Sequence, residues 1–132
     1  MGIHLIWDNE EKTVLRHIYE GEWTLEDLHA MIDSTYKWID TVGHSQIVNI
    51  IADLSQSATP PSKVLSASRH YRSKRHARQG IQVIVGSSLR LTFMKIITQA
   101  AMAIVPQARN VRFADTVEEA RQIIQENHQP TN

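Results

Sequence analysis

Asp53, Ser55, Ser57 and Ser62 have the types and spacing best suited to chemistry in this 132-residue chain. They bracket the point where the apolar run Gln46 to Leu54 gives way to a polar stretch. Hydroxyls at the entry of a helix lie beside free N–H groups and a partial positive charge. That setting suits an anion or a phosphoryl group and makes Ser57 and Ser62 candidate phosphoacceptors. Asp53, at a strand end, is placed either to act as a base or to hold backbone N–H groups of the next turn. The plainer reading of the serines is capping and turn formation. Gly86-Ser87-Ser88 repeats the pattern at a second strand-to-helix junction.

Two further sets stand out. Arg69, Arg72 and His76 share one stripe of a predicted helix with Leu65, and Lys74, Arg75 and Arg78 lie close by. Such a stripe suits an acidic protein partner, an anionic ligand or a lipid headgroup. Nucleic acid is excluded as an expectation, because total charge is zero and Tyr71 is the lone interleaved aromatic. Leu91, Met94, Ala101 and Met102 spread beyond the core face of another predicted helix, which marks a second apolar face for a homodimer or an apolar ligand.

Catalytic patterns are missing. The chain has no cysteine, which excludes thiol nucleophiles, disulfides and cysteine metal sites. Its seven histidines form no HExxH or HxH pattern, so no metal is expected. No glycine-rich phosphate loop, paired-carboxylate pattern or Ser/His/Asp spacing is present, and His44 neighbours Asp53 in sequence alone. The expectation is a protein without enzymatic activity and without a cofactor.

The elements that must position these residues follow from periodicity. Ile3 to Asp8 and Thr13 to Tyr19 read as a β-hairpin around a polar turn at 9–12. Thr24 caps a helix, answered by Asp27, and Leu25, Leu28, Met31, Ile32, Tyr36 and Ile39 recur at helical spacing up to about Gly43. Gln46 to Leu54 and Ile81 to Val85 fit strands buried on both faces, with a loop at 55–60. Pro61 opens a second helix to about Arg78, stopped by Gly80. A third spans about 89–105 and is closed by Pro106. Val111 to Ala114 is a last short strand, and Thr116 with Glu119 caps a final helix to about Glu126. Trp7 and Trp23 are placed over the sheet edge. Trp38 is an exposed contact or a cap on the apolar end of the sheet. The order β-β-α-β-α-β-α-β-α predicts an α/β domain over 1–127 with a mixed, mostly parallel sheet and a flexible tail at 128–132.

Several local motifs accompany this order: Trp7-Asp8, Tyr19-Glu20-Gly21-Glu22-Trp23-Thr24, Ile51-Ala52-Asp53-Leu54-Ser55, Val83-Ile84-Val85-Gly86, and Phe113 through Ala120. Together they resemble the STAS domain, and more closely its SpoIIAA-like branch of small bacterial proteins, over nearly the whole chain. The resemblance implies a sheet of four or five strands with helices packed on it, and protein–protein regulation of the anti-sigma-factor-antagonist type without catalytic residues. STAS regulators carry a phosphorylatable serine in an Asp-Ser-Ser-Gly-like sequence. This chain instead reads Gln56-Ser57-Ala58-Thr59-Pro60-Pro61-Ser62, without the Asp-Ser pair or the glycine.

Charge is unevenly distributed: residues 1–40 carry −6, residues 41–112 carry +9 and residues 113–132 carry −3. The leading expectation is a regulatory or adaptor domain that binds a protein through the 55–62 loop and the basic second helix. The alternatives are an apolar-ligand or lipid carrier with a pocket beside the third helix, and a structural homodimer subunit. The lack of cysteine, of a secretory signal and of any apolar run near ~20 residues gives a cytoplasmic location as the expectation.

Overall fold

The structure, a computed structural model, describes residues 2–58, 76–86 and 110–127. Its chain begins with β1 (Gly2–Trp7) and β2 (Val14–Gly21), the expected hairpin. Asn9 organises the turn. Its side-chain oxygen accepts from the backbone of Thr13 and Val14 at 3.0 and 3.2 Å, and its amide donates to Thr13 Oγ1 at 2.6 Å. Lys12 takes a left-handed conformation with φ of 58° to close it.

Helix α1 (Leu25–Asp40) starts at the predicted cap. The Thr24 hydroxyl accepts from Asp27 N, and the Asp27 carboxylate accepts from Thr24 N at 2.9 Å. This reciprocal pair satisfies two donors that the first turn would otherwise leave open. Strands β3 (Val48–Ser57), β4 (Gln79–Val85) and β5 (Val111–Ala114) follow, and α2 (Val117–Asn127) closes the described chain. Thr116 Oγ1 accepts from Glu119 N at 3.1 Å, and the Glu119 carboxylate reaches back to Asp115 N.

The result is an α/β fold with a five-stranded mixed sheet in the order β1-β2-β3-β4-β5. β1 pairs antiparallel with β2, and the remaining neighbours are parallel. Side chains alternate between two buried faces. On one face, α1 covers Tyr19, Trp23, Ala52, Leu54 and Ile84 with its own Leu28 and Met31, while Leu15, Ile39 and Val48 pack at its C-terminal end. On the other, Ala120 and Ile124 of α2 lie on Val14, Ile51, Val83, Val85 and Ala114. Each fully enclosed aliphatic side chain, such as Leu15 or Ile51, contributes about 1.5–3 kcal/mol of transfer free energy.

Three predicted boundaries change. β3 runs on to Ser57, so Ser55 to Ser57 are strand and not loop. Gly21 and Ser57 are register partners, which extends pairing past Leu54. The second helix does not reach Arg78: residues 76–78 are non-helical, and β4 begins at Gln79 with Gly80 inside it. The predicted third helix and the tail at 128–132 lie outside the described residues. The tryptophans also settle inward. Trp23 is buried in the α1-side core, and Trp7 and Trp38 pack with ring centroids 5.7 Å apart over the Leu15, Ile39 and Val48 cluster.

Candidate functional site

The C-terminal end of β3 is built on a bulge. Ile18 pairs with Asp53 and Glu20 with Gln56, so Leu54 and Ser55 together span the single residue Tyr19. An extra residue of this kind bends a strand and frees an N–H from the ladder. Asp53 collects that donor: its Oδ1 accepts from Ser55 N at 3.0 Å and from Ser55 Oγ at 2.6 Å. Asp53 is half-buried, while Ser55 and Gln56 are exposed. His44 precedes β3 and Asp53 lies near its far end, about 17 Å along an extended strand, so the two do not form a dyad.

Ser57 is only 1% exposed. Its Oγ accepts from Trp23 Nε1 at 2.8 Å and donates to the carbonyl of Ala58 at 2.6 Å. Ala58 N in turn donates to Gly21 O at 2.9 Å. The hydroxyl that sequence spacing offers as a phosphoacceptor is thus enclosed, serving as the hydrogen-bond partner that a buried indole requires.

His76 is drawn away from a solvent-facing stripe. Its Nδ1 accepts from Arg78 N at 3.1 Å, which leaves Nε2 as the protonated nitrogen that donates to Asp40 Oδ1 at 2.7 Å. Both ring nitrogens are committed internally, and the ring packs against Tyr36 at 5.9 Å. Arg78 fans over the end of α1. It donates to the carbonyls of Ile39 at 3.0 Å, Val42 at 3.3 Å and Gln46 at 3.5 Å, and also to Gly43. Ile39 lies in the last turn of α1, where carbonyls lack i+4 partners within the helix, and the other three belong to the segment that leaves it. Ser62, Arg69, Arg72, Leu91, Met94, Ala101 and Met102 lie outside the described residues, as do Ser87 and Ser88.

Neither a scan against protein-family models nor a search of the curated proteins gives a match for this chain. Its reading therefore rests on geometry and charge. All 14 acidic residues fall within the described residues, alongside six bases. Residues 59–75, joining β3 to His76, hold five bases (Lys63, Arg69, Arg72, Lys74, Arg75) and no acid. Among the described residues no group of three or more His, Asp or Glu side chains could hold a metal ion, and no helix is long and apolar enough to cross a membrane.

Buried polar side chains escaped the sequence reading. His17 is 3% exposed, and its Nε2 lies 2.9 Å from Thr35 Oγ1. Thr35 donates its own proton to Met31 O at 2.8 Å, so His17 Nε2 must be the donor and Nδ1 is left as a buried acceptor without a partner among the described residues. Burial pushes the His17 pKa down to about 3, and burial likewise raises the Tyr19 phenol. On the opposite face Asp8 receives a two-pronged contact from Arg121, at 2.8 and 2.9 Å. One signal was available for both. Arg16 and His17 are consecutive in a strand flanked by apolar residues, and a polar pair in such a place puts one polar group on each buried face.

Proposed function

We propose that this chain is a non-catalytic regulatory or adaptor domain of STAS-like, SpoIIAA-like type, which docks an acidic protein partner through residues 55–62 and the basic stretch that follows. The observation that carries the proposal is the partition of charge. Five bases without an acid follow the carboxyl end of an inner parallel strand in sequence, in a chain whose described residues carry every Asp and Glu. Ligands of open α/β sheets are met at the carboxyl ends of strands, and a one-signed segment steers an oppositely charged partner and fixes its orientation.

The hairpin followed by parallel strands and the five-stranded sheet agree with the STAS resemblance. The arrangement at Asp53 and Ser57 supports a binding edge over a reacting one, since both polar groups are spent on holding the bulge and the Trp23 indole. Of the two candidate phosphoacceptors, enclosure of Ser57 favours Ser62. The test is affinity capture from the native cell with the wild-type chain and with a double variant, Arg69→Glu and Arg72→Glu. The proposal expects loss of the captured protein from a variant whose thermal unfolding is unchanged. An identical set of captured proteins would overturn it.

A further inference from the structure

Arg16 is a cation without adequate company. It stands on β2, between Ile6 of β1 and Ile51 of β3, on the face of the sheet that carries α2. Its side chain is 23% exposed, and its buried Nε has no hydrogen-bond partner among the described residues. Its one ion pair is with Asp8, 3.5 Å away and itself 3% exposed. Asp8 is already engaged, because the Arg121 guanidinium grips both carboxylate oxygens. Arg121 draws a second negative neighbour from Glu118 on its own helix, and hydrogen bonding to Asp8 holds its proton more tightly still. Arg121 therefore holds both oxygens of Asp8 at hydrogen-bond distance, and Arg16 meets the same carboxylate only through a longer contact.

The chain has no other carboxylate side chain to offer. Every Asp and Glu lies within the described residues, and none besides Asp8 forms an ion pair with Arg16. A desolvated guanidinium N–H such as the Arg16 Nε is costly unless an acceptor meets it, and the planar fork of the group matches carboxylate and phosphate oxygens. We propose that Arg16, with Arg121 beside it, forms an oxyanion site on the α2 face, filled by a phosphate or carboxylate group from outside the chain. The site shares no residue with the docking proposal and stands or falls separately from it.

The full chain, labelled to report arginine Nε–H resonances, is titrated with sodium phosphate and in parallel with sodium acetate, chloride keeping ionic strength constant. The Arg16 signal is identified by its disappearance in Arg16→Lys. The expected result is a saturable shift of Arg16, with the Arg112 signal unmoved, and an affinity about tenfold weaker when Arg16→Lys is followed by the Arg121 signal. A response to phosphate alone assigns the site to phosphoryl groups, and a response to acetate alone assigns it to carboxylates. A response to both supports an oxyanion site selective for charge. No shift of Arg16 into tens of millimolar of either anion, or an equal drift of all arginine signals, overturns the proposal. These readings on the wild-type chain hold even if Arg16→Lys fails to fold.

Discussion

Asn49 Oδ1 occupies the space that a Cβ on Gly80 would need. The same oxygen accepts from Ile81 N at 3.0 Å, because Gly80 and Ile81 together span the single residue Asn49 where β3 meets β4. The bulge and the glycine are one device: the missing side chain admits the amide oxygen, and the oxygen takes up the N–H that the bulge frees. Gly80→Ala should therefore cost about 2–4 kcal/mol, as overpacking and loss of a buried hydrogen bond combine. Gly43 has open space where its Cβ would be, so Gly43→Ala should stay within about 0.5 kcal/mol. Urea unfolding of the two variants checks the contrast, and equal costs would contradict it.

His17 predicts a specific response to acid. Its folded-state pKa is about 3 against an ordinary value of 6.5. Between those values the unfolded chain takes up a proton that the folded chain refuses. Stability from this group is thus complete above pH 6.5 and is lost as pH falls toward 3, at up to about 1.4 kcal/mol per pH unit. His17→Leu removes the group, together with its unpartnered Nδ1. Thr35 keeps its bond to Met31 O. The variant should match or exceed wild-type stability at pH 7.5, and between pH 7 and pH 5 it should lose about 2 kcal/mol less than wild type. Denaturant midpoints across that range give the answer.

Arg78 predicts a helix end that depends on a residue far along the chain. Four backbone carbonyls in and after the last turn of α1 accept from this one guanidinium, which also lies 3.9 Å from Asp40. Arg78→Met keeps much of the aliphatic stem and removes every donor, and should cost about 2–3 kcal/mol. Arg78→Lys should recover under half of that, because a single ammonium cannot reach the same fan of acceptors. Hydrogen exchange should quicken at the C-terminal turn of α1 while the capped first turn keeps its protection. A uniform change along α1 would count against the assignment.

What could be read from the sequence was whatever local chemistry decides. The hairpin, the Thr24–Asp27 capping box and the bounds of β5 depend on residues a few positions apart, and each is where the pattern put it. The shifted boundaries depend on distant partners. β3 continues to Ser57 because Trp23, 34 residues earlier, binds its hydroxyl and Gly21 pairs with it. His76 and Arg78 leave the helical pattern because the end of α1, more than 30 residues earlier, supplies Asp40 and the open carbonyls. Periodicity counts apolar positions and is blind to which polar atom will answer which. For that reason Ser57 and His76 read as surface chemistry and turned out to be internal fastenings.

The strand order β1-β2-β3-β4-β5 has a consequence for how the molecule is made. Every strand joins the one synthesised just before it, so a nascent chain leaving the ribosome can lengthen its sheet one rung at a time without waiting for a later segment to insert. The helix α2 makes longer links back to earlier elements, and the grip of Arg121 on Asp8 spans 113 positions. It ties the residue that follows β1 to α2, so it can form only once α2 has been made.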